Sequence, residues 1–342
     1  MSKVLWQPIQ VGPIELKNRL VSAPIATGTS TKDGLPTADT LDINEKIAKS
    51  GVALSIVEHH AVHKEGRTGL RQLLLDRDEV VSYQQRLADL YSNNDCNVIV
   101  QVNHAGSLVQ DEDMLVDDLA PIAPSALRHP CCALYVMPRP IKLEEMPDLV
   151  ELYAQASLRA VKAGYRGVEI HACHGYLIGQ FLSPLTNQRK DKYGGEIKNR
   201  ARFLFEVYEA VRDTLSDEYV VAVRLGAADS LPNEEPKGLT IDESKWVAKE
   251  LSAKGVDLLD ISGNLCGYDG EGSAYFADYV AAIKSVVENT PVVCTGGITE
   301  PTTAEALLEK GVCDLVGLGR ALRKNYKIVH VWEESHADFY KR

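Results

Sequence analysis

Short apolar runs alternate with amphipathic segments along almost the whole chain. The runs read as buried strands at 19–25 (RLVSAPI), 52–58 (VALSIVE), 97–102 (NVIVQV), 167–172 (GVEIHA), 219–225 (YVVAVRL), 257–262 (DLLDIS), 291–296 (PVVCTG) and 313–319 (CDLVGLG). Between them the apolar period changes to that of a helix. Across 199–215, Phe203, Leu204, Val207, Val211 and Leu215 recur at helical spacing. The segment TIDESKWVAKELSAKG, 240–255, opens with a cap and acids and closes on a glycine, and ITEPTTAEALLEKG, 298–311, places Pro301 in a first helical turn. Strand–helix alternation without a break in composition predicts a parallel sheet. Eight such units predict a closed eight-fold β/α (TIM) barrel forming a single domain over 1–342. An open doubly wound sheet would want G-x-G-x-x-G after its first strand, and the sequence has none there.

One insertion interrupts the pattern, from about 103 to 145, with prolines at 121, 124, 130, 138 and 140. Loops of that length usually cover or bind something, so it reads as a lid over the barrel mouth.

Composition narrows the partners more than the fold. The 342 residues are 45% hydrophobic and 25% charged, an ordinary globule with ample core. A net charge of −11 argues against nucleic acid and against an anionic membrane surface. No apolar run approaches the length of a membrane span, and MSKVLWQPIQ lacks the features of a signal peptide, so a cytoplasmic location is expected. The seven cysteines are scattered, odd in number and outside any C-x-x-C pattern, which suggests neither a disulfide framework nor a zinc or iron–sulfur site.

In eight-fold barrels the chemistry gathers at the C-terminal ends of the strands. Those ends carry Pro24 and Ala26, Glu58 and His59, Gln101, His171, Arg224, Ser262, Gly296 with Gly297, and Gly319 with Arg320. Glycine turns on the last two strands, backed by Arg320, predict a phosphate site in which backbone N–H groups and a forked donor meet an anion. The fourth strand runs directly into HACHGYLIGQF, 171–181, where two histidines and a tyrosine fall within six residues. Gly175 and Tyr176 argue against a regular helix starting there.

The stretch HACHGYLIGQFLSPLTNQRKDKYGGEIKNRARF, 171–203, resembles the signature of the old yellow enzyme family of FMN-containing NAD(P)H:flavin oxidoreductases and ene-reductases. It matches each fixed position of H-x-x-[HN]-G-Y-L-x-x-x-F-L-x-P-x-x-N-x-R-x-D-x-Y-G-G. LKNRLVSAP, VQVNHAG, PIAPSA, VAVRL, TGG and GLGR follow the family's other landmarks in order, so the resemblance covers essentially the whole chain. It implies that His171 and His174 hydrogen-bond a substrate oxygen and that Tyr176 donates a proton. It further implies that Gln101 and Arg224 meet the flavin's pyrimidine edge, that Pro24, Ile25 and Ala26 line its ring, and that Gly296, Gly297, Gly319 and Arg320 hold its phosphate. Asn187, Arg189, Asp191 and Tyr193 would brace the loop. The residues themselves agree with that chemistry. Two imidazole donors aimed at one carbonyl oxygen polarise it, and a phenol opposite supplies the α-proton.

The chain departs from the family pattern at four places. Ala26 offers no side-chain donor to the flavin, Gly28 stands where one branch has tyrosine, His59 replaces a small residue beside the flavin, and Ser107 follows HAG where arginine is common. The run EHHAVH invites a metal reading, but His59 and His60 point to opposite faces of an extended stretch, and no metal is expected. His104 reads either as a rim residue or as support for the lid. FMN is the expected cofactor, NADPH or NADH the reductant, and an activated alkene the substrate, with homodimers or homotetramers the assemblies the resemblance implies. Two alternatives stay open. One is a related flavin barrel acting on dienoyl or amine substrates with electrons from a partner, disfavoured because no cysteine follows Cys313. The other is a flavin-binding barrel without turnover.

Overall fold

The computed structural model describes residues 4–114, 120–134 and 136–339. Residues 1–3 of the N-terminal stretch and 115–119 and 135 of the expected lid therefore lie outside the described residues. A short hairpin, β1 (Ile9–Val11) and β2 (Ile14–Leu16), precedes the first barrel strand, β3 (Leu20–Ser22). The barrel continues with β4 (Leu54–Ala61) and β5 (Asn97–Asn103). A two-stranded ladder of β6 (Ile122–Ala123) and β7 (Arg139–Pro140) follows within the insertion. The remaining barrel strands are β8 (Gly167–Ala172), β9 (Val220–Gly226), β10 (Leu258–Ser262), β11 (Val292–Thr295) and β12 (Leu315–Leu318). The order β10-β11-β12-β3-β4-β5-β8-β9 closes, and all eight pairings are parallel. This is the expected eight-fold barrel, built from all eight of the expected runs.

The helices surround it: α1 (Ala38–Ala48), α2 (Val81–Ser92), α3 (Met146–Lys162), α4 (Leu177–Leu182), α5 (Ile197–Arg200), α6 (Arg202–Thr214), α7 (Ile241–Ala253), α8 (Ala277–Lys284), α9 (Pro301–Glu309), α10 (Arg320–Lys324) and α11 (Ile328–Phe339). Among the described residues no helix is long and apolar enough to cross a membrane. The α7 start is the expected cap. Thr240 Oγ1 accepts from the Glu243 amide at 3.4 Å while the Glu243 carboxylate accepts from the Thr240 amide at 3.2 Å. Pro301 is the first residue of α9, where its missing N–H costs nothing.

Two cores divide at the strands. Side chains that point outward meet the helices in a large shell, while Val21, Leu54, Ile56, Ile99, Val220, Ala222, Leu258, Val293 and Leu315 fill the lower barrel. Val11, Ile14 and Leu16 of the hairpin plug that end from below. The functional face is left at the opposite, C-terminal end.

Three local readings are corrected. The first strand is shorter than 19–25. The Ala23 amide still donates to Leu318 O at 3.0 Å, but Pro24 has no N–H with which to continue the ladder. The second strand is longer than 52–58, because a register shift between Val57 and His60 carries it on to Ala61. A helix also does begin beside Gly175 and Tyr176. Tyr176 is extended at its N-cap, and α4 starts at the next residue.

Gly167, at the entry to β8, lies opposite Val220, and a Cβ there would fall onto the Val220 carbonyl oxygen. Gly167→Ala must therefore push β8 away from β9 or twist its start. It is expected to cost about 2–4 kcal/mol, read as a lower urea midpoint at unchanged slope. A midpoint equal to the parent's would show that the two strands are free to separate there.

Candidate active site

Above the apolar plug, the inward positions of the strands turn polar. Register sets Gln101 beside Glu169, His171 and Asp260 beside Arg224, and Leu318 beside Ser22. The resulting layer is almost entirely buried. Gln101 Nε2 donates to Glu169 Oε1 at 2.7 Å, Arg224 Nε lies 3.0 Å from Asp260 Oδ2, and Thr295 Oγ1 donates to Asp260 Oδ1 at 3.1 Å. Two carboxyls thus share one guanidinium away from water. Burial, then repulsion from Asp260, pushes the Glu169 carboxyl up to about 8, so it holds its proton at neutral pH. Arg224 Nε, Asp260 Oδ2 and Glu169 Oε2 are buried without an aligned hydrogen bond.

This layer floors a cavity of about 730 Å³ at the barrel mouth. All thirteen site residues expected from the sequence line it. Pro24, Ile25 and Ala26 lie along one side, and His59, Gln101, His171, His174, Tyr176 and Arg224 along the floor and another. Gly296, Gly297, Gly319 and Arg320 lie at the end formed by β11 and β12.

The loop after β8 is bent to bring three rings together. His171 ends the strand's inward face, then His174 and Gly175 adopt left-handed backbone, with φ of 57° and 74°. A non-glycine residue held there is a local strain of about 1 kcal/mol or more, kept only where its surroundings fix it. The fixing contacts are present. The His174 amide donates to Gly263 O at 3.2 Å, while Gly175 O accepts from Gln180 Nε2 at 2.7 Å and lies 2.9 Å from His129 Nε2. His171 then meets Tyr176 edge to face at 4.8 Å between centroids and His174 at 5.0 Å. Burial, followed by the neighbouring imidazoles and Arg224, holds His171 and His174 well below the ordinary histidine range. Burial likewise raises the Tyr176 phenol. At neutral pH all three are uncharged.

His59 reaches the same group because of the strand irregularity. Its ring lies 5.5 Å from that of Tyr176, and burial lowers it to about 4. His60 turns away and is buried against Gln84 Oε1 at 3.0 Å from its Nε2, which confirms that the pair faces two ways. His104 supports the insertion. It is buried, its Nδ1 accepts from the Gly106 amide at 3.0 Å, and it does not line the cavity. Arg189 pairs with Asp191 at 2.6 Å and donates to Pro124 O and Ile141 O, while Asn187 donates to Phe181 O and Tyr193 O, so these residues tie the loop to the insertion.

Arg320 is the one expected group whose surroundings change its weight. Its side chain is 56% exposed, and it donates to Asp269 Oδ1 at 2.5 Å and to Tyr275 OH at 2.8 Å. Sequence reasoning missed Asp269 and Tyr275, along with Glu169, Asp260, His129 and Cys173. His171, Cys173 and His174 are also the one group of three or more His, Cys, Asp or Glu residues among the described residues placed to hold a metal ion, their ligand atoms all within 4.8 Å of one another. The buried guanidinium of Arg224 beside them opposes a cation.

The raised carboxyl of Glu169 has a measurable consequence. Between about pH 4.5 and 8 the folded protein keeps a proton that the unfolded chain releases, so stability falls as pH rises through that window. Glu169→Gln, which keeps an acceptor and adds a donor, should flatten that part of the profile of urea midpoint against pH. An unchanged slope would show that Glu169 is ionised in the folded state.

Comparison with known proteins accords with this geometry. Residues 4–337 match the family model described as NADH:flavin oxidoreductase / NADH oxidase. An NADPH dehydrogenase of Bacillus cytotoxicus is 32% identical over 328 residues, 95% of this chain and 90% of its own. An NADH oxidase of Thermoanaerobacter brockii is 32% identical over 329 residues, 93% of this chain but 49% of its own, so the chain spans about half the length of that relative. The structure of the old yellow enzyme homologue from Zymomonas mobilis superimposes with a TM-score of 0.83 at 28% identity, over 97% of this chain and 92% of its own. Fold, site and sequence agree: the chain belongs to the old yellow enzyme family of NADH:flavin oxidoreductases.

Proposed function

We propose that this protein is an FMN-dependent oxidoreductase that takes electrons from NADPH or NADH and reduces the C=C bond of alkenes activated by a carbonyl or nitro group. The observation that carries the reading is the packing of His171, His174 and Tyr176 against one another on the wall of the cavity, above the buried Arg224.

The residues present fit FMN. The cavity of about 730 Å³ has room for it, its floor is lined by Gln101 and by Arg224, a fixed cation whose Nε is held by Asp260, and its far end is backbone of Gly296, Gly297 and Gly319 with Arg320 beside it. Gln101 and Arg224 would hold the pyrimidine edge, Pro24, Ile25 and Ala26 the ring, and the glycines with Arg320 the phosphate. When bound, the flavin supplies the hydride chemistry between nicotinamide and alkene.

The protein's own work is to orient and to move protons. Neutral His171 and His174 each offer one N–H to a substrate oxygen, polarising the bond that is to be reduced. Tyr176, a phenol that holds its proton at neutral pH, gives that proton to the α-carbon. The insertion braces this loop through His129 and Arg189.

A second reading keeps the site and changes the electron source. It follows from the longer Thermoanaerobacter brockii relative, of which this chain spans about half. Anaerobic mixing with NADPH and with NADH separates the two. The proposed reading requires that one of them bleach the flavin without any partner protein, and a flavin that stays oxidised with both favours the second.

Two substitutions test the assignment. Tyr176→Phe should leave flavin reduction by nicotinamide nearly intact and slow its reoxidation by cyclohexenone roughly 10²–10⁴-fold, the usual worth of a positioned acid. Nitroalkenes, whose nitronate product is stable without immediate protonation, should be much less affected. Enone turnover equal to the parent's would transfer the acid role to His59 or to water. Because Arg320 is half exposed and already engaged by Asp269, Arg320→Ala should weaken FMN binding roughly five- to ten-fold. Unchanged affinity in a fluorescence titration would move the phosphate elsewhere.

A further inference from the structure

One ring nitrogen of each histidine meets a buried side chain that carries a hydrogen. His171 Nδ1 lies 3.5 Å from Cys173 Sγ, and His174 Nε2 lies 2.8 Å from Ser262 Oγ. Cys173 and Ser262 are both buried, at 0% and 1% exposure, so neither contact competes with water.

A neutral imidazole has one N–H and one lone pair, and its outer hydrogen bond decides which nitrogen carries which. If Nδ1 of His171 held the proton, it would point at a thiol sulfur, a weak acceptor, and the lone pair on Nε2 would face the cavity. With the proton on Nε2, the thiol donates to Nδ1 and an N–H faces the cavity. Burial keeps Cys173 a thiol with a proton to give. A serine hydroxyl can either donate to or accept from Nε2 of His174, and when Ser262 donates, Nδ1 carries that ring's proton.

We propose that Cys173 and Ser262 are positioning residues that set the tautomers of His171 and His174, so that both rings present N–H donors to the same substrate oxygen. The inference rests on the proposed role of the two histidines as donors, but the protonation pattern it specifies exists without any substrate. Cys173 thereby has a task in this chain beyond filling space, although it touches neither cavity nor reactant.

The test uses the flavin-loaded protein labelled with ¹⁵N-histidine. Long-range ¹H–¹⁵N correlation spectra should show His171 protonated at Nε2 and His174 at Nδ1. Cys173→Ala should turn the His171 pattern into a mixture of tautomers, and Ser262→Ala should do the same for His174. The same two variants should bind 4-nitrophenol, a probe whose oxygen takes the place of a substrate oxygen, roughly ten-fold more weakly. Cys173→Ser, which restores a donor at nearly the same place, should recover both the His171 pattern and most of the affinity. A residue needed only for packing would instead leave the tautomer unchanged in Cys173→Ala, and that result, or phenol affinity within two-fold of the parent's, overturns the proposal. Should Cys173→Ala fail to fold, Cys173→Ser and Ser262→Ala carry the test on the same spectra. If the parent shows the expected tautomers but never oxidises its reduced form with enones or nitroalkenes, the positioning stands and the alkene reading falls.

Discussion

A single buried positive charge, the guanidinium of Arg224, organises the upper half of this barrel. A charge taken out of water in an apolar cylinder must be paired, or folding would lose several kcal/mol. The pairing comes from strand register. Asp260 is the β10 partner of Arg224, and its other oxygen is satisfied by Thr295 from β11. Glu169, in the same layer, is the second acid, and Gln101 from β5 ties it in. Because two acids meet one base, the layer is relieved by a proton on Glu169, which leaves one negative charge against one positive. What the layer still offers is directed upward, into the cavity.

The loops above depend on that floor and on each other. His171 is fixed by its strand, but His174 and Tyr176 reach the same spot only because the chain reverses through left-handed backbone at 174 and 175. That reversal is held from three sides: Gly263 after β10, Gln180 in α4, and His129 in the insertion. Gln180 also donates to Ala105 O, so the loop after β5 is fastened to the same short helix. The described part of the insertion therefore holds the loop after β8 through His129 and through the Pro124 and Ile141 carbonyls that meet Arg189.

The sequence was most legible where structure is local. Each apolar run of six or seven residues became a barrel strand, because a parallel strand buried on both faces reads as a near-continuous apolar run. The cap at Thr240 and the proline at 301 fell where their chemistry requires. The signature motif brought out His171, His174 and Tyr176 together. What was not legible depends on closure of the ring. Asp269 lies 51 residues from Arg320 and His129 lies 46 from Gly175, and no spacing pattern announces either contact. Asp260 and Glu169 looked like ordinary polar strand residues until register set them in one layer with Arg224. The irregularity in β4 that points His59 inward is equally silent, since EHHA reads the same with or without a shift.

These couplings also divide the chemistry. Burial and Arg224 hold His171 and His174 neutral, so they can hold an oxygen through N–H bonds but carry no extra proton to release. On the proposed reading proton delivery falls to Tyr176, a phenol that burial makes a weaker acid than free tyrosine. A weak acid transfers its proton fast only to a strong base. On the proposed reading, that base is the carbon of an enolate, which is far more basic than the carbon of a nitronate. On that reading the dryness of the site favours carbonyl-activated alkenes, the substrates for which a positioned phenol is needed. On the same reading nitroalkenes need only the pair of histidines.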